Sequence, residues 1–503
     1  MKNKEMLIDA IGDADSALIP ALPEKKKKKN VARRIVAVAA CAALLVGGSV
    51  IIPKLRKAPG ITTGGYDTTA AVTGDQPGGN DPTGAPQGLL PVAAAVYPEL
   101  PQYPEEKNYS DWEDYEPAYN SWKDAVQRLH DQPKGYRDGF DAFFASTAET
   151  FLRGGETENR VYSPLSLYMA LALSAEVTDG NSRRQILDLL SQEDIETLRA
   201  RARSVWLANF MDDGMAKCVL ATSLWLNDSI AYNKGTVDTA AENYYSSVYS
   251  GDPASADYSK ALQNWLNEQT DGLLEDYVSG IRMDPLSVLT LASTVNYSGR
   301  WREKFDKNAT EEGTFRTTGG DKACEFMKAQ RLMTYNWGEH FASIGMELEN
   351  NGQMRLILPD EGYSPADLLG DAQVLDYMTQ NGVWKNNKNT LVNLSVPKFD
   401  VSSQTDLRDG LQELGVTDIF DPETSDFSPL TDDPDGIALG KAEQDARVLI
   451  DEDGCKAAAL TVMMYCGSAM PEDEVDFILD RPFLFEIMSE TGLPLFVGVV
   501  NAP

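Results

Sequence analysis

The sequence predicts an α+β domain over residues 119–503, helix-rich in its N-terminal half and strand-rich in its C-terminal half, and two patterns predict it. In the first half apolar side chains recur at helical spacing. Between Asp138 and Leu152, residues Phe140, Phe143, Phe144, Thr147 and Phe151 fall on one face, the mark of a core helix. In the second half short apolar runs take over, at 346–348, 354–358, 392–396 and 483–487, each bounded by Gly, Pro, Asn or Asp. Within them Leu356–Leu358 and Phe483–Phe485 run without a polar residue, as expected for a sheet buried on both faces.

The chain's 503 residues exceed one ordinary domain, and the excess lies at the N-terminus. Residues 35–52, IVAVAACAALLVGGSVII, carry no charge. As a helix they would span ~27 Å at ~1.5 Å per residue, close to a ~30 Å hydrocarbon core. They are read as a transmembrane anchor. Lys25 to Lys29, Arg33 and Arg34 precede it, and only Lys54, Arg56 and Lys57 follow closely. The positive-inside bias then makes residues 1–34 a cytoplasmic tail of a single-pass cell-membrane protein whose domain is extracytoplasmic. A cleaved signal peptide, a lipoprotein signal ending at Cys41 and a buried core helix fit less well. The apolar run before Cys41 is short, and no clear cleavage site leads into a polar start. Residues 53–118 are rich in Gly, Pro and Thr and read as a disordered linker.

The whole chain holds 45 basic and 77 acidic side chains, but residues 1–57 hold 12 basic and 5 acidic ones, so the remainder carries −39. Such a surface repels polyanions, and nucleic acid is excluded as a partner. Cys218, Cys324, Cys455 and Cys466 follow no disulfide or zinc-ligand spacing, and no metal or cofactor is expected. Enzyme signatures are absent too: the chain has two isolated histidines, His130 and His340, and no HExxH, GxSxG, GxxxxGK[ST] or GxGxxG. Asp432, Asp433 and Asp435 lack the acid needed at the twelfth position of a calcium loop, where Ala442 stands. The chain is therefore not expected to be an enzyme.

Taken in order, a set of longer motifs narrows the reading. Tyr162 to Ser166, YSPLS, is followed by LYMALALSAEVTDGNSRRQIL, then by LTLASTVNYSGRWREKFD from Leu289 and MRLILPDEG from Met354. VNLSVPKFDVSSQTDL from Val392, LGVTDIFD from Leu414, DRPFLFEI and a terminal LPLFVGVVNAP complete it. Together these resemble the serpin family across the whole domain. The resemblance implies a large central sheet, an exposed reactive-centre loop and inhibition of serine proteases: the loop is cut, inserts as a strand and traps the acyl-enzyme. The alternative is a non-inhibitory surface serpin used for adhesion or ligand carriage.

The resemblance also assigns residues. Ser163, Ser166, Ser293 and Gln444 match the buried cluster that controls strand separation, with Ser293 and Gln444 standing where the family usually has Asn and His. Glu452, Gly454, Cys455, Ala457, Ala458 and Ala459 match the loop hinge, whose residues must be small enough to enter a sheet. No proline occurs from Gly454 to Met470, so each backbone N–H there is free to join a ladder. In the family register Cys455, Ala457, Ala459, Thr461 and Met463 would face the core, with Lys456 and Ala458 facing out. Cys455 and Leu460 depart from the family's small residues, and Leu460 is expected to slow insertion. Sixteen positions after Glu452 the implied scissile bond is Ser468–Ala469, which favours elastase-like proteases. Met464 and Tyr465 would instead suit a chymotrypsin-like enzyme.

Overall fold

A computed structural model describes residues 89–503 apart from 155–156, 286, 350–351, 381, 441 and 456–472. In chain order its first elements are helices α1 (Trp112–His130) and α2 (Phe140–Leu152), strand β1 (Arg160–Tyr162) and helices α3 (Pro164–Glu176), α4 (Gly180–Leu189) and α5 (Ile195–Asn209). Strands β2 (Met211–Asp212) and β3 (Lys217–Asn227), α6 (Lys234–Asn243), β4 (Ser246–Gly251), α7 (Ala256–Gln269), α8 (Glu275–Val278) and β5 (Leu289–Arg300) follow. The second half opens with β6 (Glu311–Thr317), β7 (Gly320–Trp337), β8 (Phe341–Glu347) and β9 (Gln353–Pro359), then α9 (Pro365–Leu369) and α10 (Ala372–Thr379). It closes with β10 (Asn387–Pro397), β11 (Phe399–Asp406), α11 (Arg408–Glu413), β12 (Glu443–Ile450), β13 (Gly454–Cys455), β14 (Glu474–Ile478), β15 (Phe483–Met488) and β16 (Pro494–Val500).

The expected helix at 138–152 is present as Phe140–Leu152, and the four expected strands fall in β8, β9, β10 and β15, with Leu348 one residue past the end of β8. A nine-stranded sheet runs β1-β16-β15-β9-β8-β7-β10-β14, with β6 on β7. A five-stranded sheet runs β13-β5-β3-β2, with β4 on β3, and β11 and β12 form a separate pair. The architecture is the expected α+β one.

Helix α3 lies at the centre of this arrangement. Ser163 caps it by accepting from Ser166 N–H, and Pro164 at the first helical position supplies a helical φ where an N–H would have no partner. Twelve of its thirteen residues are buried, so it has no solvent face and serves as a core rod. Its polar residues must therefore find partners within the protein.

The N-terminal boundary differs from the expected one. The linker's expected end at 118 falls inside α1, and the chain is already packed from about residue 92. Val92 N–H donates to Val248 O at 2.7 Å and Ala93 bridges the same residue, covering the edge of β4. Ala95 is buried with its N–H on Ser247 Oγ, and Tyr97 packs against Trp206 at a centroid distance of 5.1 Å. Backbone pairing along a sheet edge needs no apolar periodicity, so the composition gave no hint of it. Residues 1–88 lie outside the described residues, and with them the expected tail, anchor and most of the linker.

The localisation expected from the sequence is corrected. No helix among the described residues is long and apolar enough to cross a membrane. A span needs about twenty apolar residues. The longest helix among the described residues, α1 at 19 residues, carries Glu113, Asp114, Glu116, Lys123, Asp124 and Arg128. Single-pass placement, membrane partnership and an extracytoplasmic domain are not retained.

Candidate functional site

Strands β5 and β12 face each other across a cleft: one is the long strand of the five-stranded sheet beside the two-residue edge strand β13, the other belongs to the separate β11–β12 pair. Below the head of the cleft no ladder joins them among the described residues. Burial alternates along β12, where Gln444, Ala446, Val448 and Ile450 are buried, so that strand presents one face to the core.

At mid-height the cleft is underpinned by the four polar residues assigned from the sequence, and the structure brings all four together on α3. Ser163 N–H donates to Gln444 Oε1 at 2.7 Å, and Gln444 Nε2 donates to Ser163 O at 3.0 Å. Ser166 Oγ and Ser293 Oγ lie 2.7 Å apart, and Ser293 Oγ also reaches Ser166 O at 3.3 Å. One end of α3 is thus tied to β12 through an amide and to β5 through paired hydroxyls. A Gln amide has one donor group and one acceptor, and here both are used on the backbone of one residue, Ser163, which is how it fills a position where a histidine is usual.

The hinge residues stand at the head of the cleft. After Ile450 the chain reverses: Asp451 N–H donates to Gly454 O at 3.2 Å and Gly454 N–H to Asp451 O at 3.3 Å. Gly454 and Cys455 then pair antiparallel with Arg300 and Gly299 of β5, so the chain already occupies the top of the cleft as a third strand. Only glycine fits the first of these positions. Gly454 has φ +138°, and a Cβ there would stand 2.5 Å from Gly299 O and 2.7 Å from Arg300 Cα.

The two acids before Gly454 are held by cations. Glu452 is buried, its Oε1 taking Thr310 Oγ at 2.8 Å and Lys398 Nζ at 3.0 Å. Burial pushes its carboxyl upward, but the bonds from Lys398 and Thr310 outweigh that and hold it below the ordinary range. Asp453 takes Lys307 Nζ at 2.8 Å and Lys304 Nζ at 3.0 Å, and these two bonds depress its carboxyl as well. Backbone bonds complete the clasp: Trp301 N–H donates to Asp453 O, Phe305 N–H to Glu452 O, and Trp301 Nε1 to Asp451 O. Lys304, Lys307, Lys398 and Thr310 were not singled out in the sequence. They lie some fifty to one hundred and fifty positions from the hinge, and no spacing rule links them to it.

Ala457, Ala458, Ala459, Ser468 and Ala469 lie outside the described residues. The chain is next described from Asp473, whose carbonyl accepts from Thr390 Oγ at 2.7 Å, and β14 then pairs parallel with β10. The described chain thus leaves the five-stranded sheet at Cys455 and resumes in the nine-stranded sheet at β14. Of the two histidines, His130 bonds Phe210 O and sits 3.5 Å from Glu490, while His340 stacks on Tyr363.

Comparison with known proteins agrees with this arrangement. The chain is 25% identical over 365 residues to Serpin-ZX of Arabidopsis thaliana, covering 69% of this chain and 93% of that protein. It is 27% identical over 368 residues to plasminogen activator inhibitor 1 of Sus scrofa, covering 70% and 89% respectively. Among solved structures, the thermophilic serpin tengpin in its native state superposes with a TM-score of 0.66 at 24% identity, covering 74% of this chain and 95% of that one. Human thyroxine-binding globulin superposes with a TM-score of 0.63 at 19% identity, covering 75% and 99%. At such identities these structures speak for the fold. The family model described as serpin (serine protease inhibitor) matches residues 141–503, the stretch that contains the cleft, the α3 cluster and the hinge. On that match the chain belongs to the serpin family.

Proposed function

We propose that this protein inhibits serine proteases as a suicide substrate, trapping the acyl-enzyme by inserting its cut loop into the cleft between β5 and β12. The observation that carries the reading is the hinge: Gly454 and Cys455 are already paired with β5 at the head of a cleft in which no further ladder is formed among the described residues. The loop's distal end is anchored separately, by β14 on β10, so cutting between the two ends frees the proximal part to zip inward.

The chemistry is that of the attacking enzyme. Its serine oxygen bonds to the carbonyl carbon of the scissile residue, the peptide C–N bond breaks, and the new amine leaves with the proton relayed by the enzyme's histidine. An ester then joins protease and inhibitor. Water would normally hydrolyse it, and insertion has to carry the protease away and distort its site before that happens. We assign the bond to Ser468–Ala469 and the favoured target to elastase-like proteases, since small side chains on both sides suit a shallow apolar pocket.

Mixing the protein with a panel of serine proteases tests the reading. An SDS-resistant 1:1 complex, with a released peptide beginning at Ala469, is the expected result. Cleavage without any such complex across the panel would favour the non-inhibitory alternative, a serpin fold kept for adhesion or ligand carriage.

A further inference from the structure

We propose that the cavity beside the cleft receives the side chains of Leu460 and Val462, so that Leu460 anchors the inserted strand rather than slowing it. The proposal rests on the loop-insertion reading. The cavity has a volume of about 690 Å³ and is bordered on its far side by Leu262 and Leu266 of α7 and by Ile281 and Met283. On its near side it reaches the two strands of the cleft at Ala292 and Thr294 of β5 and at Glu443 and Asp445 of β12.

The occupant follows from register. The pairs Gly454 with Arg300 and Cys455 with Gly299 fix the alignment on β5, and the bridge of Asp451 with Gly454 fixes it on β12. Continued down the cleft, that alignment sets Leu460 between Thr294 and Asp445, and Val462 between Ala292 and Glu443. All four border the cavity. At ~3.4 Å per residue Leu460 arrives ~17 Å beyond Cys455, within reach of a strand that has to fill the cleft.

Faces agree with register. Ser293 and Gln444 turn their side chains to α3, so their strand neighbours turn theirs the other way, toward α7 and the cavity. Thr461 would lie between Ser293 and Gln444 and share their face, which leaves Leu460 and Val462 on the cavity side. Met463 would fall between Leu291 and Ala442, and both of these border a second, smaller cavity of about 40 Å³ under the cleft on the α3 side. The outward residue nearer the hinge, Ala458, would lie between Asn296 and Arg447, neither of which borders the large cavity. An alanine at 460 would give up the contacts of the leucine side chain with the apolar part of the lining, and lost buried contacts cost stability.

Two variants, Leu460→Ala and Leu460→Glu, test the proposal in the full chain. One readout is the stoichiometry of inhibition; the other is the rise in Tm when the loop is cut by a non-target protease. Leu460→Ala should increase the inhibitor consumed per trapped protease about two- to fivefold and shrink the Tm rise by roughly 2–5 °C. Leu460→Glu should do more, since it brings a third acid to Glu443 and Asp445. Pairing Leu460→Ala with Leu266→Ala should give less than the sum of the two effects on the cut form, with the uncut Tm of each variant as reference. Equal or lower stoichiometry with an unchanged Tm rise in Leu460→Ala would make Leu460 a brake and overturn the proposal. If the unaltered protein shows no Tm rise on cleavage, insertion itself fails and takes this inference with it. If it shows the rise but traps nothing, inhibition fails while the Tm comparison still decides the role of Leu460.

Discussion

A Cβ on Gly454 would stand 2.5 Å from the carbonyl oxygen of Gly299, so the loop enters the sheet through a contact that only a glycine permits. Gly454→Ala combines that clash with a φ of +138°, a strain of roughly 1–3 kcal/mol. The hinge is expected to leave β5, lowering the Tm of the uncut protein and exposing residues near 455 to limited proteolysis. An unchanged Tm and digestion pattern would count against the turn as described.

Ala457 in the continued register lies between Tyr297 and Val448, and Val448 is buried on the core side. Ala457→Arg should block insertion, because the strand would have to bury an unpaired cation at a cost of several kcal/mol. A barrier raised by even ~1.4 kcal/mol slows trapping about tenfold. Titration against the target protease should show a substrate, cut at the same bond without a stable complex, while Lys456→Ala keeps its stoichiometry. Normal complex yield from Ala457→Arg would exclude insertion as the mechanism.

The clasp on Glu452 and Asp453 predicts acid sensitivity at the hinge. Both carboxyls are held below their ordinary range, so their contribution is present above the unfolded values and disappears as pH falls through the folded ones. Loop proteolysis near the hinge, by an acid-active protease, should accelerate below about pH 4. Asp453→Asn should show the faster rate already at neutral pH. Lys307 is two-thirds exposed, so salt should mimic part of the effect.

Glu486 predicts a slope of opposite sign. It is fully buried on β15 and paired across the sheet with Arg355 of β9, whose guanidinium also serves the carbonyls of Tyr377, Met378 and Gln380. Burial pushes its carboxyl up to about 7, against the pull of Arg355. A raised carboxyl favours the folded state most below its unfolded value, near 4.5, and that advantage is lost as pH rises through 7. Glu486→Gln should therefore raise stability at pH 8 by a margin of order 1–3 kcal/mol and leave it nearly unchanged at pH 5. Denaturant unfolding at the two pH values checks it, and equal shifts at both would refute the assignment.

What the sequence carried and what it withheld follow a physical line. Strands β9, β10 and β15 were legible as short, mainly apolar stretches bounded by turn residues, and helix α3 through the motif that opens it. Ser163, Ser166, Ser293 and Gln444 were legible through motif resemblance, and the hydrogen bonds among them followed. The lysine clasp was not, since Lys304 and Lys307 meet Asp453 only after the chain has closed a loop of some 150 residues. The segment around Val92 and Ala93 was misread as linker because its hold is a backbone bond to Val248, which any side chain tolerates.

The reversal at Asp451–Gly454 also changes where time is spent. Adding a strand to a sheet has an expensive beginning, in which the chain must turn back and lose freedom before the first contacts repay it, and a cheaper continuation in which each residue joins an ordered neighbour. Here the beginning is complete before any protease arrives. For a loop that inserts, what remains is propagation, and its pace is set by the side chains that must be accommodated one after another below Gly299. Selection on the speed of trapping would then act on residues 457–463 and the walls they meet, and the hinge would matter chiefly for keeping the start in place.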